Sequence, residues 1–115
     1  MPSLGLEMEM PVLDTRNGRL LRVRDYFDRL SRLKRESGEE PIMERAVCGA
    51  PLAVRTSQCV SGVDNAYNNL ESALGPLHEP RADLNTLHAL ATQELNHVSR
   101  ALEPECGAVL NFSQH

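Results

Sequence analysis

Hydrophobic and polar positions alternate at the start of the chain, where Leu4, Leu6, Met8, Met10 and Val12 are separated by Gly5, Glu7, Glu9 and Pro11. A period of two predicts a strand with one apolar face, and here the other face carries two carboxylates. Asp14-Thr15-Arg16-Asn17-Gly18 follows. Asn-Gly is a strong hairpin signal, so Arg19 to Val23 is expected to return as a second strand. The period then changes. Val23, Phe27, Leu30 and Leu33 recur at helical spacing until Ser37-Gly38, predicting a short amphipathic helix from about Asp25. The basic residues between Arg22 and Arg35 are interrupted by Asp25 and Asp28, and are expected to form the solvated face of that helix.

Ile42 to Val47 and Leu52 to Thr56 are β candidates around the turn residues Cys48-Gly49-Ala50-Pro51. Ser57 to Asn65 is polar and contains Gly62, so it reads as a loop. Ala66 to Leu74 reads as a strand ending at Gly75-Pro76, with Tyr67, Asn69, Glu71 and Ala73 on one face. Leu84, Leu87, Leu90, Ala91, Leu95, Val98 and Leu102 track one side of a longer helix, with Asp83 as N-cap and Pro104 and Gly107 as stops. Ala108, Val109, Leu110 and Phe112 suggest a last strand. The fold class this order predicts is α+β: a largely antiparallel sheet with two amphipathic helices packed on one side.

Composition narrows the function classes. A chain of 115 residues has room for one core, and 41% hydrophobic with 24% charged residues is ordinary for a globular domain. Two Tyr, two Phe and no Trp leave that core to Leu, Val, Ala and Met. Twelve basic against sixteen acidic residues give a net charge of −4, which disfavours a nucleic-acid or anionic-membrane surface. No apolar run approaches the ~20 residues of a membrane span, and the first ten residues lack a basic signal-peptide start. The expected compartment is the cytoplasm, with Cys48, Cys59 and Cys106 as free thiols.

The acids carry the candidate chemistry. Glu7 and Glu9 lie two apart on one strand, so both project from the same face about 6 to 7 Å apart at Cα, a spacing that suits one or two hard cations. Alternating acids also simply solvate the wet face of an antiparallel strand. Asp64 and Glu71 could add ligands if their strand neighbours the first. Glu94 and His97, at i and i+3 on the longer helix, have the spacing seen in di-iron bundles, but no matching motif exists elsewhere and both are expected to face solvent. No Gly-rich phosphate loop is present.

Gly5-Leu6-Glu7-Met8-Glu9, followed by Asp14-Thr15-Arg16-Asn17-Gly18-Arg19-Leu20, resembles the opening hairpin of the glutamate–cysteine ligase family and the related carboxylate–amine ligases. Asp64 with Leu70-Glu71-Ser72-Ala73-Leu74-Gly75-Pro76 is similar to a later segment of that family, and Gly107 to Ser113 with Gln114-His115 to the next strand. Ser72 and Ala73 stand where many members have a Thr. The resemblance implies a glutamine-synthetase-like fold in which Glu7, Glu9 and Glu71 bind Mg²⁺ (or Mn²⁺) around ATP, with Asp64 and His115 near substrate. It further implies ATP-dependent joining of the glutamate γ-carboxylate to the amine of cysteine, or of another amine, through an acyl phosphate, as in glutathione biosynthesis. The matches cover the family's N-terminal part, so further basic and acidic residues of the nucleotide site are expected beyond His115. The chain alone is then expected to be inactive and open to self-association. The alternative is a non-catalytic α+β binding or assembly module.

Overall fold

A computed structural model describes residues 3–64, 66–80 and 82–109. It is α+β, with elements in the order β1 (Ser3–Asp14), α1 (Tyr26–Glu36), β2 (Ile42–Arg45), β3 (Pro51–Arg55), β4 (Cys59–Asp64), β5 (Ala66–His78), α2 (Leu84–Leu102) and β6 (Gly107–Val109). The six strands form one antiparallel sheet in the order β2-β3-β4-β5-β1-β6. No helix among the described residues is long and apolar enough to cross a membrane.

The alternation in β1 does what its period dictates: Met8, Met10 and Val12 are buried while Glu7 and Glu9 are exposed. The buried side meets both helices. From α1 come Tyr26, Phe27 and Leu30, and from α2 Leu87, Val98, Ala101 and Leu102. Each large side chain so buried contributes roughly 1.5–3 kcal/mol from apolar transfer. Two of the few aromatics stack edge-on, Tyr26 on Phe27 at 5.0 Å between centroids, and Phe27 in turn meets Tyr67 at 6.5 Å. Asp83 caps α2 by accepting from the Thr86 N–H at 2.8 Å. Arg29 donates to the Ala101 carbonyl at 2.7 Å near the other end of that helix.

Three expectations change. Ser57 to Asn65 is not a loop, because Cys59–Asp64 forms β4, paired with β3 and β5. Its inward positions are Cys59 and Ser61, so the strand's apolar alternation is broken by a buried serine. Arg19 to Val23 turns back as expected, with the Gly18 N–H bonded to the Asp14 carbonyl at 2.8 Å, but forms only the Leu13–Leu20 bridge. The long partner of β1 is instead β5, from Ser3 opposite His78 to Pro11 opposite Asn69. β5 also runs past Gly75-Pro76 to His78, through a bulge at which Gly75 takes φ +87°. A Cβ there would sit 2.8 Å from the Leu4 carbonyl, so only glycine fits this crossing. The expected continuation of the last strand at Leu110 and Phe112, and His115, lie outside the described residues.

Candidate metal centre

Register decides which acids meet. Glu9 is directly opposite Glu71 across the β1–β5 pair, and Glu71 is opposite Gly62 across β5–β4. Asp64 lies two residues beyond Gly62 on the same face, diagonal to Glu71. Gly62 presents no side chain beside Glu71 and lies against Ala53, where a Cβ would meet the Ala53 Cβ at 3.1 Å. The result is a group of three carboxylates, Glu9, Asp64 and Glu71, with one oxygen of each within 4.8 Å of the others. Asp64 and Glu71 are half-buried and Glu9 is exposed.

Burial, and then the charges of Asp64, Glu7 and Glu9, push the Glu71 carboxyl above its ordinary value. Asn69, two residues before Glu71, places its amide nitrogen 3.5 Å from an Asp64 oxygen. Its own amide oxygen is sealed from solvent and bonds to no described residue. None of the three acids forms an ion pair with a described Lys or Arg; the ion pairs among the described residues join Arg16 to Asp14, Arg29 to Glu105, Lys34 to Glu94 and Arg55 to Glu44. The group is therefore hard-oxygen, anionic and uncompensated.

The sequence puts Glu7, Glu9 and Glu71 around the metal and Asp64 there or beside substrate; the fold brings Glu9, Glu71 and Asp64 together. Glu7 stands opposite Ala73, one row along the same face, and acts on Glu71 through its charge rather than as a member of the group. Asn69 was recognised only as a residue of that face; its position two before Glu71 on an alternating strand is the signal that places it at the site.

The opposite face of the sheet corrects a second expectation. Glu94 and His97 do not face solvent: they are 2% and 3% exposed. Nor is Lys34 part of a solvated helix face, since it is buried and its Nζ donates to Glu94 Oε1 at 2.7 Å. The other Glu94 oxygen accepts from the hydroxyls of Ser61 on β4 and Ser72 on β5, the latter at 2.5 Å. Burial alone would raise the Glu94 pKa, but the Lys34 charge and these hydrogen bonds outweigh it and hold it below the usual value. Lys34 behaves reciprocally: burial would lower its pKa, and the Glu94 charge carries it above its ordinary range. Burial and the Glu94 charge push the neighbouring Cys59 thiol up to about 12, so it stays protonated and inert. The space left beside this network is about 10 Å³, room for one water at most.

No protein-family model, curated protein or solved structure matches the chain. The roles of these residues accordingly rest on geometry and chemistry. Of the two acidic centres, the Glu94 carboxylate is answered by Lys34 and two serines, whereas Glu9, Asp64 and Glu71 leave acceptor oxygens facing an open sheet surface. Shallow depressions of about 350 and 380 Å³ flank Ala73 on that surface, one bordered by Glu71 and the other by Glu7.

Proposed function

We propose that the open face of this sheet is the divalent-metal part of the active site of an ATP-dependent carboxylate–amine ligase of the glutamate–cysteine type, working in the cytoplasm. The observation that carries the reading is the convergence of Glu9, Asp64 and Glu71 from three adjacent strands, without a basic partner among the described residues. The motifs that resemble the ligase family contributed these same residues. An antiparallel sheet with both helices on one side, leaving an acidic face for substrate, is compatible with a glutamine-synthetase-like arrangement.

The donor set fits Mg²⁺ or Mn²⁺ by chemistry, since both prefer hard oxygens and retain waters. Mg²⁺ holds oxygens at about 2.1 Å, so two ligands of one ion lie at most about 4.2 Å apart. A spread of up to 4.8 Å would close onto one ion by a small side-chain adjustment. A bound ion would neutralise phosphate charge during transfer. Glu9, Asp64 and Glu71 would hold and orient it, and the half-buried position of Glu71 would keep that ligand from wandering into solvent. The chemistry that follows moves the ATP γ-phosphoryl group onto the glutamate γ-carboxylate, giving ADP and an acyl phosphate. Attack of the amine on the acyl carbon then expels phosphate and releases a proton, so no enzyme nucleophile is required.

Titration calorimetry with Mn²⁺ tests the reading at its base. Wild-type protein should bind Mn²⁺ saturably, more tightly with ATP present, and E71Q or D64N should weaken binding by about tenfold or more. Absence of Mn²⁺ binding in the millimolar range would overturn the metal assignment. Mn²⁺ binding that E71Q and D64N both leave unaffected would place the metal elsewhere and remove the observation on which the ligase reading rests.

A further inference from the structure

A second concave site shares no residue with the acidic face. It is a cleft of about 330 Å³ where the turn after β1, the start of α1 and the segment following α2 come together. Four guanidinium side chains line it, those of Arg16, Arg22, Arg24 and Arg29, against two carboxylates, Asp25 and Glu105. In a chain of net charge −4 this convergence runs against the overall composition.

Tracing each charge shows which are available. Arg29 is committed twice, to the Ala101 carbonyl and to Glu105. The other oxygen of Glu105 accepts the Arg24 backbone N–H at 2.6 Å, so this acid is taken up within the cleft wall. Arg16 spends Nε and one terminal nitrogen on Asp14, and its side chain remains 66% exposed. The Arg22 guanidinium carbon lies 5.4 Å from the Tyr67 ring centroid, a contact that does not cancel its charge. Asp25, which forms no ion pair with a described residue, offsets part of the cleft's positive field. Neither Arg22 nor Arg24 forms an ion pair with a described residue.

Gathering like charges costs Coulomb energy, and within the cleft that cost is only partly offset. The complement is a compact oxyanion with several acceptor oxygens, which guanidinium forks bind in a bidentate manner. The positive end of the α1 dipole adds to the same field. Leu21 and Pro104 supply apolar wall, and the volume lies at the lower end of the roughly 300–1,000 Å³ range of small-molecule pockets. A compact, partly open cleft of this size is unlike the extended basic stripe that a nucleic-acid strand requires.

We infer that this cleft is a binding site for a phosphate group, free or carried by a small molecule, gripped by Arg22 and Arg24 with Arg16 at the rim. The site does not depend on the ligase reading. Its test is a pair of titrations, with inorganic phosphate and with ribose 5-phosphate, followed in ¹H–¹⁵N spectra at about 50 mM NaCl, where screening is modest. The amides of Arg22, Arg24 and Cys106 should shift saturably. Tighter binding of ribose 5-phosphate assigns the site to a phosphorylated metabolite, and equal binding to phosphate itself. R22Q/R24Q changes two exposed side chains and should fold normally while weakening binding by about tenfold or more. E9Q/E71Q should leave it unchanged. Alkylation by iodoacetamide gives an independent reading: bound phosphate should slow reaction at Cys106, which lines the cleft, and not at the exposed Cys48. Absence of saturable shifts up to about 20 mM phosphate, undiminished binding in R22Q/R24Q, or equal protection of both thiols would each overturn the site.

Discussion

The two faces of one sheet treat carboxylates in opposite ways. On the helix-covered face, Glu94 is buried and meets a lysine and two serines, so its charge is answered atom by atom. On the open face, Glu9, Asp64 and Glu71 crowd together with no cationic side chain paired to them among the described residues. A protein can bury a charge cheaply only by completing its shell from within. Where the shell is left incomplete at a half-exposed position, the completing group must come from outside. The difference separates a centre that serves the fold from one suited to a ligand, although both are built from the same residue type a few ångströms of sheet apart.

The largest expected effect breaks the closed centre. K34M leaves Glu94 buried without its cation and should cost about 3–5 kcal/mol, read from urea unfolding. Removing both charges in K34M/E94Q should recover part of that loss, because a neutral amide no longer needs the ammonium. If the double variant is as unstable as K34M, the penalty lies in packing and not in an orphaned charge.

A smaller effect follows from His97, whose Nε2 lies 3.0 Å from the Ser37 hydroxyl. Burial, and then the Lys34 charge, hold its pKa below the ordinary value of 6.5. The unfolded chain therefore binds a proton that the folded chain refuses, and stability should fall as pH drops below about 6.5 while remaining flat above it on account of this group. H97N should flatten that acid slope, measured as unfolding midpoint against pH. An unchanged slope would assign it to other groups.

The smallest effect sharpens the contrast by its sign. With its pKa raised, Glu71 opposes folding once it ionises, so E71Q without added metal should slightly raise the unfolding midpoint at pH 7. With Mn²⁺ present the order should reverse, because the wild type gains more binding energy than the variant. A metal-free loss of stability in E71Q would show that the open face is also a completed structural centre.

Much of the scaffold was legible because periodicity reports burial. β1, both helices and the Asp83 cap followed from spacing, and the acids of β1 and β5 were placed on one face by alternation. What resisted was polar burial. β4 hid behind Ser61, whose hydroxyl is inward because Glu94 awaits it, and Glu94 looked like surface because Lys34 lies sixty residues earlier. Each residue alone is a polar exception, and only the three-dimensional partner makes it regular. The candidate site was legible in Glu9 and Glu71 as metal ligands, but the sequence put Glu7 in that set and Asp64 near substrate; the convergence with Asp64 depended on β4 being a strand, which the sequence pattern did not reveal.

Glu94 reaches from one helix to Ser61 on β4 and Ser72 on β5, which are themselves opposite one another. A slip of one residue between those strands would turn one serine to the other face and leave the carboxylate one hydroxyl donor short. The buried acid is thus an alignment gauge for the sheet. By fixing which rung of β4 meets which rung of β5, it also sets the side-chain-free Gly62 opposite Glu71 on the far side, so the dry centre calibrates the wet one without touching it.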